Sequence, residues 1–174
     1  NRSAICDDRG RMQGILDVYC LEPEQFLCVL DGIDQEWFLG RFQMYLILDD
    51  IELDDVQTDL FHLCGPTTDS VLQAAGLSVP PSDQSVVQDD VHIVLRKNRF
   101  GLDGVDVITA DLDTLQAKLQ QAGAHIIPEH AFDALRILNG RARWPDDGTA
   151  KTMIHELQIN EECCAFNKGC YIGQ

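Results

Sequence analysis

The sequence has no hydrophobic run that reaches across a bilayer. Its clean apolar stretches, such as Tyr45–Leu48 and, counting one histidine, His92–Leu95, fall far short of the roughly twenty residues a spanning helix requires. Lysine is scarce: 4 residues, beside 9 arginines, 21 aspartates and 8 glutamates, for a net charge of −16. Phosphate backbones are held by clustered Lys and Arg, so nucleic acid is excluded as a partner, as is a membrane. No charged-then-apolar leader opens the chain, and the Asn1-Arg2-Ser3 sequon is a chance-level match, so a cytoplasmic protein is expected. The familiar chemistry motifs are missing too. There is no G-x-x-x-x-G-K-[ST] phosphate loop, no G-x-S-x-G elbow, no H-E-x-x-H and no pair of C-x-x-C knuckles.

What is present is the composition of an ordered globular protein. Apolar residues make up 45% of 174 positions, enough to bury a real core in one domain or two intimately joined ones. The acidic excess keeps such a surface soluble, and its scale also fits adaptation to high salt, where ions screen self-repulsion. Seven cysteines, an odd number, read as reduced cytosolic thiols. Cys20, Cys28 and Cys64 lie in apolar, strand-like runs and are expected to be small buried hydrophobes. The five histidines are scattered, and none is assigned a role.

Periodicity sets out an α+β chain of antiparallel and mixed sheets. The segment from Ala4 to Leu30 reads as a three-stranded antiparallel meander, broken by turn clusters at Asp7–Gly10 and Leu21–Gln25. Asp34 caps a helix that places Trp37, Phe38, Phe42, Tyr45 and Leu46 roughly on one face. Residues 51–65 read as strands around a turn, and the PTTDSVLQAAG helix follows between a proline and a glycine. Strands are expected in VHIVLRK and VDVITA, with GLDG as a turn between them. A helix at DLDTLQAKLQQAG carries Leu112, Leu115 and Leu119. From Leu60 to Gly123 the order β-α-β-β-α makes up most of a ferredoxin-like split βαβ unit. A last helix, EHAFDALRILNG, presents Phe132, Leu135 and Leu138, and a polar, loop-rich tail follows. The expected division is residues 1–48 with 141–174 as one subdomain and residues 49–140 as the ferredoxin-like other.

The densest chemistry lies in Phe166–Gln174, FNKGCYIGQ. Adjacent Cys163 and Cys164 diverge in an extended chain, so with Cys170 they make a poor chelate, and no metal site is expected. Cys170 is different. Gly169 and Gly173 allow close approach of a ligand to the backbone, and Lys168, two residues away, favours the thiolate where the two side chains converge. A glycine turn with an incidental thiol remains open on local chemistry.

KGCYIGQ resembles the K-G-C-[YF]-x-G-Q-E signature of the YgfZ family of folate-binding proteins, complete but for the final glutamate. DDRGRMQGILDV, HLCGP, LRILNG and IHELQIN resemble elements of that family and of its parent, the glycine-cleavage T-protein superfamily, in family order across nearly the whole chain. The resemblance implies an aminomethyltransferase-like folate-binding fold. It also implies a longer protein, with a segment before this start and a C-terminal β-barrel absent from this chain. It implies tetrahydrofolate as cofactor, with Arg136, Tyr171, Gly169 and Gly173 as candidate binding residues, Cys170 as the functional thiol and Lys168 as its support. The function implied is an accessory role in assembling or repairing iron–sulfur clusters in client enzymes. The alternative is a tetrahydrofolate-dependent aminomethyltransferase. Leu102 in GLDGVD stands where such enzymes carry an acidic residue, and they lack the K-G-C signature; both departures count against one-carbon transfer. A folate-binding module without chemistry is the third reading.

Overall fold

The computed structural model describes residues 1–48, 50–56, 58–82 and 85–169. The chain is mixed α+β with two antiparallel sheets and divides into two compact units, residues 1–55 with 142–174 and residues 56–141.

The first unit is built on β1 (Arg2–Cys6), β2 (Met12–Glu22) and β3 (Gln25–Asp31), paired in sequence order. The expected meander is therefore present, and its first turn has a local cause. Asp7 Oδ1 accepts from the backbone N–H groups of Arg9 (2.9 Å) and Arg11 (2.8 Å), and Gly10 takes φ +73°. Helix α1 (Gln35–Gln43) starts at Asp34, whose carboxylate accepts from Trp37 N at 2.8 Å. Its expected aromatic face is not buried: Phe38 is, whereas Trp37, Phe42 and Tyr45 are 39%, 41% and 50% exposed.

The tail contributes more than its polarity foretells. Trp144 and Ile159 join Met12 and Ile15 in this unit's core, with Ile154 and Leu157 of a short 3-10 turn (Ile154–Leu157) packed against them. Helix α5 (Asn160–Cys163) follows, and Arg2 ties it to the sheet through Glu162 at 3.2 Å. Gly32, at φ +66°, lies so close to the Trp144 carbonyl that any Cβ there would strike it.

The second unit contains β4 (Asp59–Cys64), α2 (Thr68–Ala74), β5 (Val86–Gln88), β6 (His92–Arg96), β7 (Gly104–Thr109), α3 (Leu112–Gln121) and α4 (Glu129–Leu138). The sheet order is β4-β7-β6-β5, with every neighbouring pair antiparallel. Strands β4 and β6 thus run parallel with β7 between them, which is the split β-α-β pairing. Residues 51–56 form no strand, so the pair expected around a turn there reduces to β4 alone. One face of the sheet packs Phe61, Leu63, Val94, Val105 and Val107 against Val71 and Leu72 of α2 and Leu115 and Leu119 of α3. Alternation along the strands sends His62, Cys64, Gly104 and Asp106 to the other face.

Candidate functional site

On that other face the register pairs His62 with Asp106 and Cys64 with Gly104. Asp106 is 1% exposed, and its carboxylate is fully engaged. Arg99, from the β6–β7 connection, donates Nε to Oδ1 at 2.8 Å and Nη2 to Oδ2 at 2.7 Å, a bidentate grip. His62 Nδ1 lies 2.8 Å from Oδ1. Burial pushes the Asp106 carboxyl up, but the hydrogen bonds from His62 and Arg99 and the Arg99 charge outweigh it and hold the group below the usual carboxylate range. An ionised carboxylate only accepts, so Nδ1 carries a hydrogen and donates it to Oδ1. Among the described residues Nε2 has no hydrogen-bond partner, although it is buried. Phe100 packs on the imidazole edge-on, ring centroids 4.9 Å apart, and Phe132 of α4 packs on Phe100 at 4.6 Å. The result is an oriented imidazole with a buried, unpartnered Nε2 in an aromatic setting.

Sequence reading missed this cluster. His62 and Asp106 lie 44 residues apart, and only the strand register brings them together. The signal available was the alternation in FHLC and GVDV, which places histidine and aspartate off the apolar face.

The residues named from the sequence are distributed differently. Cys170, Tyr171 and Gly173 lie outside the described residues. Lys168 and Gly169 belong to the first unit and are exposed. Arg136 belongs to the second unit, in the last turn of α4, and its side chain is 9% exposed. It donates Nε to Asp133 Oδ1 at 2.8 Å and reaches the Arg141 carbonyl with Nη1 at 3.5 Å. Leu138, expected on the buried face of α4, is 82% exposed, and Arg136 holds the inner position instead.

The cysteines also depart from expectation. Cys20 and Cys28 are exposed and Cys64 is half-buried, because all three sit off the core faces of their strands. Cys163, beside the first unit's core, is the thiol that burial perturbs most, pushed up to about 12. No group of three or more His, Cys, Asp or Glu among the described residues could hold a metal ion. No helix among them is long and apolar enough to cross a membrane.

No protein-family model matches the chain, and no curated protein matches it.

Proposed function

We propose that the chain is the T-protein-like portion of a cytoplasmic tetrahydrofolate-binding protein that supports assembly or repair of iron–sulfur clusters in client enzymes. The observation that carries this reading is KGCYIGQ at residues 168–174, preceded in order by DDRGRMQGILDV, HLCGP, LRILNG and IHELQIN. An α+β chain with antiparallel sheets is compatible with it. Several of these segments also fall where backbone geometry is demanding: DDRG is the Asp7-capped turn, HLCGP leaves β4 for α2, and LRILNG ends α4 at Gly140 with φ +62°. In this reading Cys170 acts on the client side, with Lys168 as its electrostatic support, and Arg136 contributes to folate binding only by exchanging Asp133 for the ligand.

The test has separate readouts. Calorimetric titration with tetrahydrofolate, on this chain and on a version extended beyond Gln174, is expected to give tighter binding to the extended protein, because more pocket wall excludes water. Loss of iron–sulfur enzyme activity in cells carrying Cys170→Ser, with folate binding retained, supports the accessory role. Methylene-tetrahydrofolate formation from an aminomethyl donor would instead assign one-carbon transfer. No binding to either protein refutes the folate reading altogether.

A further inference from the structure

We propose that Cys6 and Cys164 are a redox pair, closing a reversible disulfide that pins helix α5 to strand β1 under oxidising conditions. Neither Cys170 nor the folate reading enters it.

The sheet sets the first thiol. Arg2, Ala4 and Cys6 alternate along β1 and share one face. Their register partners Asp17, Ile15 and Met12 are 3%, 0% and 0% exposed, so this is the inner face. A bulge between Ile5 and Cys6 skips Gln13 and thereby keeps Cys6 opposite Met12 on that face. Helix α5 packs on β1, and its residues follow the strand in order. Glu162 meets Arg2, Oε2 to Nη1 at 3.2 Å. Cys163 packs with Ala4 against the same core of Met12, Ile15, Trp144 and Ile159. Cys164 is next, and it leaves the helix in extended backbone, at φ −110° and ψ 129°. Cys6 is the next residue on the inner face of the strand. Burial, and after it a charge on Cys164, push the Cys6 thiol up, so the two thiols share one neighbourhood.

Both thiols are free and half-buried, which leaves each open to a small reagent. With oxidised glutathione as the oxidant the exchange balances. One cysteine loses its proton to water and attacks the glutathione disulfide, forming a protein–glutathione S–S bond and expelling one glutathione thiolate. The other cysteine, likewise deprotonated, attacks the protein sulfur of that bond and expels the second glutathione thiolate. Two cysteine thiols are thus oxidised, and two glutathione thiols form and take up the two protons. Cys163 competes poorly, because burial first of all pushes its thiol up to about 12 and leaves little thiolate at neutral pH. Closure anchors residues 160–164, from which the chain leads on to Lys168, and reduction releases them. In a reducing compartment such a bond is transient and follows the glutathione poise.

The test incubates the full chain in glutathione redox buffers at pH 7, blocks the remaining thiols with N-ethylmaleimide and maps bridges by tandem mass spectrometry. A Cys6–Cys164 bridge is expected, with exposed Cys20 and Cys28 left as thiols or mixed glutathione disulfides. Cys163→Ser should retain the bridge. Cys6→Ser and Cys164→Ser should each abolish it and leave the remaining partner carrying glutathione. In urea the same chain should close this bridge at least about tenfold more slowly, because a long flexible loop then separates the two thiols. Amide exchange over residues 160–164 should slow on oxidation and recover on reduction. Pairing of Cys6 or Cys164 with any other cysteine, or mixed disulfides that never resolve, overturns the proposal. So does closure no faster in the native chain than in urea, or amide exchange that oxidation leaves unchanged.

Discussion

Replacing Asp106 by alanine tests whether the second unit is held by a buried charged network. The carboxylate is 1% exposed and accepts three bonds of 2.7–2.8 Å. Its removal takes away the acceptor of two hydrogen bonds from the Arg99 guanidinium and one from His62 Nδ1. Breaking a buried ion pair from one side costs about 3–5 kcal/mol. Arg99 is 17% exposed and retains some water, which places the expected loss near the low end, about 3 kcal/mol. That is a large share of a typical folding free energy of about 5–15 kcal/mol. With urea slopes of about 1–3 kcal/mol/M, the midpoint should fall by about 1–3 M. Trp37 and Trp144 both belong to the first unit, so far-UV circular dichroism and amide exchange along β7 are better reporters than fluorescence. Asp146→Ala is the control, because its pairing with Arg143 is 34% and 48% exposed and should contribute under about 1 kcal/mol. The acid limb carries the same information. Asp106 has a depressed folded-state pKa, so its contribution is complete above the unfolded value of about 3.9 and is lost as pH falls through the folded value. The alanine variant should lack that part of the acid dependence. A loss below about 1 kcal/mol, or an unchanged acid limb, would show that the network does not hold the unit.

Gly104→Ala should destabilise by about 1–3 kcal/mol in urea titration, since its Cβ would stand 2.8 Å from the Leu63 carbonyl, a backbone atom held in the β4–β7 pairing; an unaffected midpoint would show that β4 yields easily. Thermal stability should rise between low and molar potassium chloride as the net charge of −16 is screened, and a flat melting temperature across that range would remove the case for salt adaptation. Cys163, its thiol raised to about 12 chiefly by burial, should label more slowly with maleimide at pH 7 than exposed Cys20, and labelling at equal rates would place Cys163 in water.

Local signals carried much of the fold. The meander was legible because turn residues separate its apolar runs and Asp7 closes its first turn. Helices α1 and α3 were legible because Asp34 and Asp111 accept from backbone N–H groups three residues on. Failures began where burial, not propensity, decides. The α1 aromatics and Leu138 have the spacing of a core face, yet the core takes Phe38 alone from α1 and an arginine from α4. Conversely, residues 141–163 look polar, but Trp144, Ile154, Leu157 and Ile159 supply half of a core through widely spaced single residues. No periodic run announces such a contribution.

The site shows the same division more sharply. A motif such as KGCYIGQ can be read in one dimension because its residues stand within one short span, and its reading needs no register. The His62–Asp106–Arg99 cluster is invisible in one dimension for a physical reason: its partners are set by which β4 residue faces which β7 residue. Shifting β4 by one residue against β7, which β6 holds in place, would turn His62 away from Asp106 and toward α2 and α3. The alternation of Phe61 and Leu63 with His62 forbids the shift, because it would take two apolar side chains off the core and bury a histidine there without Asp106. The hydrophobic pattern that builds the core against α2 and α3 therefore also aligns the polar cluster, and the electrostatics of the opposite face are a by-product of how that core packs.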